Sequence, residues 1–366
     1  IIPARSSNVR IMNRKLFFLL LSITLGSGAC ASAPTQAEMN TPAGKGWLNW
    51  RGPEQNGVSQ EKSLPTDLST EGKDLLWSVP LSGGGAPIAD SEGVCVFGYR
   101  GEGPALEEVL ACYERKTGLL LWERTFSDFL SDIIYERYGI GSPAIDEETG
   151  NLYLMTSNGV VHSFSRKGES LWQHSMMEEF GRLTFPNGRT GTPVIVDNLV
   201  IVRGIVTSWG ALGPARDRFY AFEKTTGELV WIATPGTRPQ DSSFSTPILS
   251  SYLGEKVLYA GTGCGNVVCM RASDGKPLWR FQLSRGGVNA SILTHQDKVI
   301  AIHGKENLDS SQTGRMVSIQ PPTEVPKQRQ LVLGKDNEVW RNIAGHFTSS
   351  GVLVEDRIYQ VLPTGE

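Results

Sequence analysis

The chain has 366 residues, enough for two or three ordinary domains or for one large all-β ring with a sizeable core. Its formal net charge is -3, with 35 basic and 38 acidic side chains mixed along the whole length. No basic stripe is present to track a phosphate backbone, so nucleic acid is not an expected partner.

Residues 1–11 read as an upstream extension, with Met12 the expected start. Asn13, Arg14 and Lys15 precede the apolar run LFFLLLSITL from Leu16 to Leu25, and small residues follow in GSGACASA. A positive segment, an apolar run shorter than the roughly 20 residues a bilayer requires and a small-residue cleavage region make residues 12–33 an export signal. Two processing routes stay open. Ala29-Cys30-Ala31 fits an A-x-A cleavage site, while Cys30 after Gly28 and Ala29 is a candidate for lipidation, with Ser27 where a lipoprotein box carries leucine. Residues 34–45 are small and polar, a linker by composition. No later segment is apolar enough to cross a membrane. The expected location is the periplasm, either free or held by a lipid anchor.

From residue 46 onward the sequence repeats itself at intervals of about fifty residues, the signature of a repeat architecture. Each unit opens on a small residue and proline: APIAD from Ala86, SPAID from Ser142, TPVIVD from Thr192, STPILS from Ser245. A β-branched run comes next, then an alternating run such as FYAFE, then a glycine turn. The last strand carries tryptophan: GLLLW at Gly118, GESLW at Gly168, GELVW at Gly227 and GKPLW at Gly275. Four short strands with period-2 patterning predict a four-stranded antiparallel sheet, and no segment shows the period of an amphipathic helix. One such sheet leaves both faces bare. Stacking the units face to face and closing them into a ring predicts an all-β fold, a β-propeller of four-stranded antiparallel blades.

The turn glycine accounts for the positive φ of a tight hairpin. The tryptophan four residues later fills the gap between sheets, which assigns Trp122, Trp172, Trp231 and Trp279 an architectural role, each ring contributing about 2 to 3 kcal/mol. LLWSVPL around Trp77 reads as a fourth strand without its first three. Four clear blades span Ala86 to Leu283, and a fifth, from NASIL at Asn289 to Trp340, has its turn replaced by PPTEVPKQRQ. A sixth begins with FTSSGVLVED and stops at a turn. Residues 46–366 are thus expected to be a propeller of seven or eight blades cut short at its C-terminal side, with an unpaired strand near Glu366.

Export permits disulfides. Cys95 with Cys112 and Cys264 with Cys269 each fall within one blade and are candidate pairs, but Cys112 and Cys269 also occupy a position where another blade carries Ala221, a small buried residue. His162, His174, His295, His303 and His346 lie at no metal-ligand spacing, and no metal site is expected. Glu147, Glu148, Glu178 and Glu179 sit in predicted turns as solvated charge. Propeller function is usually carried by loops held on rigid blades. Two long connections, TFSDFLSDIIYERYGIG with Tyr138 and MMEEFGRLTFPNGRTG with Arg182, precede Ser142 and Thr192. A third segment, IVTSWGALGPARDR, displays Trp209, Arg216 and Arg218, and the next junction adds Arg238. An aromatic ring beside guanidinium groups can stack on a planar ligand or clamp a carboxylate. The alternative is local: Trp209 folding its loop onto a blade and Asp217 pairing the arginines.

FYAFEKTTGELVW resembles the repeat of the pyrroloquinoline-quinone-type (PQQ-like) β-propellers, and the resemblance runs from WLNWRGPEQNGVS at Trp47 to the end of the chain. WRGP...NGVS followed by LLWSVPL, with WGALGPARDRFYAFEKTTGELVW, is similar to planctomycete-type PQQ-binding-like repeat proteins. More distantly the chain is similar to the propeller lipoprotein of the outer-membrane barrel assembly machine. The resemblance implies either an exported, non-catalytic platform for envelope proteins or for a small ligand at the propeller mouth, or a PQQ-dependent dehydrogenase that uses PQQ with calcium. The dehydrogenases hold their quinone with two adjacent cysteines, a stacked tryptophan and calcium ligands, and this chain lacks the adjacent cysteines and the Asn-x-x-Asn-Val element. No cofactor and no catalytic residue are therefore expected, and the platform is the preferred reading.

Overall fold

The computed structural model describes residues 46–127, 138–181, 192–207, 215–327 and 329–365. Antiparallel sheets succeed one another in strict chain order. The first blade takes β1 (Ile88–Ala89), β2 (Gly93–Arg100), β3 (Glu107–Glu114) and β4 (Leu120–Ser127), hydrogen-bonded in that order. The second takes β5 (Ala144–Ile145), β6 (Leu152–Met155), β7 (Val160–Phe164) and β8 (Ser170–Ser175). A short helix, α1 (Met176–Phe180), then precedes the third blade, of β9 (Val194–Val196), β10 (Leu199–Val206), β11 (Arg216–Glu223) and β12 (Leu229–Ala233). The fourth has β13 (Ile248–Tyr252), β14 (Glu255–Gly261), β15 (Asn266–Arg271) and β16 (Pro277–Gln282). The fifth has β17 (Leu293–His295), β18 (Lys298–Glu306), β19 (Thr313–Ile319) and, after a detour through β20 (Leu331–Leu333), β21 (Glu338–Asn342). β22 (Val352–Val354) and β23 (Arg357–Tyr359) form a two-stranded sheet.

Burial depends on position within the blade. Every residue of β10 is buried, because this strand has neighbours on both edges and both faces, whereas the outer strand β12 turns alternate residues to solvent. Up to the fourth blade the contact between successive units is the same each time. An ideal Cβ on Gly118, Gly168, Gly227 or Gly275 would lie 2.5 to 2.8 Å from the ring of Trp77, Trp122, Trp172 or Trp231, the tryptophan of the preceding unit. The turn glycine therefore serves two needs: a positive φ, and bare backbone on which the neighbour's indole can lie. Each indole Nε1 also donates to a turn carbonyl, Trp77 to Arg115 at 3.0 Å, Trp122 to Arg166 at 2.9 Å, Trp172 to Lys224 at 3.0 Å and Trp231 to Ala272 at 3.2 Å. In all five four-stranded blades the pairing of third and outer strands slips at one equivalent place, after Cys112, Ser163, Ala221, Cys269 and Ser318. This bulge twists the outer strand and aims the ring.

The proline steps join blades too. Ala86 N donates to Ser142 Oγ at 2.8 Å, Ser142 N to Thr192 Oγ1 at 3.3 Å and Thr192 N to Thr246 Oγ1 at 3.3 Å. Ser291 Oγ then donates to Thr246 O at 3.1 Å, and Ser291 N to Ser350 Oγ at 2.9 Å. From the second unit on, the small hydroxyl residue of the proline step is the link in this belt, and the first unit joins it through the backbone N–H of Ala86.

Three sequence expectations are corrected. The segment around Trp77 docks as the other tryptophans do but forms no strand, since its one ladder contact is the bridge from Ser82 to Tyr99. α1 interrupts a chain expected to be free of helix; Ser175 Oγ accepts from Glu178 N and caps its single turn. The segment that replaces the fifth blade's turn folds back onto the fourth blade, where β20 pairs in parallel with β16, Trp279 opposite Leu331. With no docking turn to meet, Trp279 is fully buried and its Nε1 finds no partner among the described residues.

Two stability series test the docking contact. Gly168→Ala should cost at least about 2 kcal/mol more than Gly254→Ala in urea unfolding, because both glycines have positive φ, yet a Cβ at Gly254 meets nothing within 4 Å. Trp231→Phe should cost about 1 kcal/mol more than Trp279→Phe, since only the former gives up a hydrogen bond.

Candidate functional site

Each blade has two ends. One carries the short turns between first and second and between third and fourth strands, the other the longer connections. At the turn end the segment WLNWRGPEQNGVS lies across several blades. Ala89 N donates to Trp47 O at 2.9 Å, Ile145 N to Leu48 O at 2.9 Å and Leu249 N to Gln55 Oε1 at 2.8 Å. Arg51 reaches the carbonyls of Asn56 and Gly351, and burial pulls its guanidinium down to about 10. One strap thus touches the first, second and fourth blades and the final sheet.

A cavity of about 900 Å³ lies between this strap and the turns. Its apolar wall includes Trp47, Leu48, Ile145 and Ile195, and its rim Glu54, Glu61 and Lys62. Its floor includes Asp90, Asp146 and Lys224, which take part in ion pairs between blades. Asp90 and Asp146, each three residues after the proline that opens its blade, are buried and pair with Arg166 at 2.6 Å and Lys224 at 3.0 Å in the next blade's turn, whereas the exposed Asp197 pairs with Lys256 of β14 at 2.5 Å. Burial pulls the Lys224 ammonium down, but Glu148 and Asp146 outweigh it and hold it above its ordinary value. Arg166 and Lys224 are held twice, by an acidic side chain on the cation and by an indole on the carbonyl.

At the loop end, buried charge joins blades. Glu108 of β3 is fully buried and accepts from Gly139 N and Ser157 N, both at 2.8 Å, and from Ser157 Oγ. Burial pushes its carboxyl up, and these donors pull it back. Asp217, the equivalent residue of β11, pairs with Arg203 of the adjacent strand at 2.7 Å and accepts from Gly263 N at 2.9 Å; both side chains are at most 1% exposed. Arg203 Nη1 goes on to Ser243 Oγ and Ser245 O.

These contacts rearrange the expected binding surface. Asp217 pairs with Arg203, not with Arg216 or Arg218, because side chains alternate along β11 and Asp217 takes the interior face. Arg216 and Arg238 are exposed, and Arg218 is half-buried. The strand of Arg216 and Arg218 and the loop of Arg238 border one turn of the fourth blade, through Asp217 to Gly263 and through Thr237 N to Cys264 Sγ. Tyr138 is no surface residue: it is 2% exposed, with its ring 5.9 Å from that of Tyr99. Trp209, Arg182 and Cys30 lie outside the described residues. The strap and the Asp90, Asp146, Asp197 series were missed as site features, although the recurring AD, ID and VD of the repeat carried a signal for the latter.

Cys95 and Cys112 are directly opposite on β2 and β3 and are joined in a disulfide. Cys264 and Cys269 are free thiols. Cys269 faces Tyr259 across the ladder, and Cys264 sits in the preceding turn, accepting from Asn266 Nδ2 at 3.0 Å. Among the described residues no three His, Cys, Asp or Glu are placed to hold a metal ion. The Cys95–Cys112 disulfide is buried within the first blade, and the docking indoles are engaged between blades. No helix among the described residues is long and apolar enough to cross a membrane.

Four-stranded blades docked by tryptophan on glycine define a β-propeller of PQQ-like repeats. The sequence profile of the family described as outer membrane protein assembly factor BamB matches residues 66–216 and 215–315, and the chain belongs to that family. No curated protein sequence matches the chain. Among solved structures it is similar to a europium-containing methanol dehydrogenase, 11% identical over 90% of this chain and 85% of that one, TM-score 0.45. BamB from Moraxella catarrhalis is 16% identical over 76% of this chain and 83% of its own, TM-score 0.43. The quinohemoprotein alcohol dehydrogenase of Comamonas testosteroni is 13% identical over 66% of this chain, TM-score 0.43, and the match spans only 40% of that enzyme.

Two buried imidazoles set a pH dependence. Burial lowers His162, flanked by Phe126 and Phe164, to about 4; burial and then the Arg315 charge lower His303 to about 4. The unfolded chain binds protons near the ordinary 6.5 that the folded chain refuses, so stability should fall as pH drops from 6.5 toward 4. His162→Phe should flatten that slope, measured by urea unfolding at a series of pH values.

Proposed function

We propose that the protein is an exported, non-catalytic β-propeller that serves as a protein-interaction or ligand-binding platform at the cell envelope. One observation carries this reading. The buried charges at the loop end, Glu108, Arg203 and Asp217, are satisfied by the chain's own groups across neighbouring strands and blades, so the interior reads as scaffold. What the molecule offers to others is surface: the cavity under the strap, the exposed Arg216 and Arg238, and apolar residues on outer strands. Membership of a family described as an outer-membrane assembly factor agrees with envelope partners. The N-terminal signal reading supports export to the periplasm, with Cys30 as the lipid-anchor candidate.

Photo-cross-linking residues placed at Arg216 and Arg238 in cells should yield discrete adducts with envelope proteins. Calorimetric titration with PQQ and calcium should show no binding. Stoichiometric quinone binding with dye reduction on alcohols or sugars would overturn the proposal in favour of a dehydrogenase with a diverged cofactor site.

A further inference from the structure

The outer strand of each blade presents an edge whose backbone groups face outward, and folded proteins shield such edges with charge, proline or a cover. β4 carries Glu123 and Arg124, β8 carries Gln173 and His174, and β21 carries the paired Glu338 and Arg341. β16 is covered by β20. β12 reads Leu-Val-Trp-Ile-Ala, with no polar side chain and no covering strand among the described residues.

The repeat permits a comparison at matched positions. Val230 precedes Trp231 as Leu278 precedes Trp279. Under the covering segment Leu278 is 0% exposed and shares a cluster with Leu333 of β20 and Val325, whereas Val230 is 50% exposed and Ile232, two residues on, is 48% exposed. The chain therefore displays, on its fourth blade, the occupant that the third blade lacks. That occupant is extended, uncharged and apolar: Leu331, Val332 and Leu333 run parallel to Trp279, Arg280 and Phe281.

We propose that β12 is a docking edge for an extended, uncharged, apolar strand of a partner protein, paired parallel to it as β20 is to β16. The inference rests on the platform reading and names the chemistry of its partner. Main-chain hydrogen bonds give the affinity of such an added strand, and its side chains beside Val230 and Ile232 give the selectivity.

The probe is an end-capped synthetic peptide of residues 330–334, the chain's own uncharged covering strand with one residue on each side, added to the full chain. Hydrogen exchange at Val230 to Ala233 should slow by about tenfold at saturation. Ile232→Asp, at a position 48% exposed and checked for an unchanged unfolding midpoint in urea, should abolish the effect, as should Val332→Asp in the peptide. Absence of protection, or protection that survives Ile232→Asp, would overturn the proposal. A dimer seen by light scattering without peptide and dissolved by Ile232→Asp would also overturn it, because a second copy would then be the cover. In cells, a photo-cross-linker at Val230 should capture a partner; adducts at Arg238 with none at Val230 would refute the docking edge and leave the platform standing.

Discussion

The arrangement depends on one contact, an indole laid on the bare backbone of a neighbouring turn. It solves a problem that a chain of sheets has to meet: each blade has two apolar faces, and the next blade must be held at a fixed angle and depth for those faces to close. A tryptophan is large enough to span the gap, and its Nε1 needs an acceptor when buried. The turn carbonyl three residues before Gly118, Gly227 and Gly275, or two before Gly168, supplies one. Geometry and hydrogen bonding are then met by the same five-residue turn, which is why glycine and tryptophan recur together.

The fifth blade has lost that turn, and its neighbour is altered accordingly. Trp279 stays buried but loses its acceptor, and the inserted segment restores apolar cover by adding β20 to the fourth blade. Tyr252 Oη donates to Pro322 O at 2.7 Å and Gln330 Nε2 to Pro235 O at 2.6 Å, so the insert is anchored at both ends of its detour. The same chain thus contains two solutions to covering an outer strand, and one outer strand, β12, with neither.

Much of the fold was legible because propeller blades repeat. Four copies of one strand and turn grammar, from Ala86 to Leu283, let the β pattern be read despite strands as short as Ile88–Ala89. The fate of PPTEVPKQRQ was not legible: a local pattern shows that a turn is missing, but not that the segment will pair in parallel with a strand some fifty residues earlier. The disulfide question had the same limit. Cys95 and Cys112 are opposite in register, while Cys264 and Cys269 belong to a turn and the strand after it, a distinction that rests on ladder register and not on spacing. Asp217 lay between two arginines in sequence, yet strand alternation turned it inward to a third, Arg203.

The distribution of charge between the two ends separates the contacts that hold the blades from the surface beyond them. At the turn end, Asp90 and Asp146 grip a cation of the next blade whose carbonyl an indole already holds, so the ion pair is pre-positioned and loses little side-chain freedom. At the loop end Glu108 and Asp217, two blades apart at matched positions, reach the loop between second and third strands of the next blade along the chain. A buried carboxylate that lost these donors would be strongly destabilising, and this ties the loop bases to the blades while leaving their tips free. Residues outside these contacts can change without disturbing what holds the blades, whereas β12, shielded by neither polar side chains nor a covering strand among the described residues, keeps its edge open.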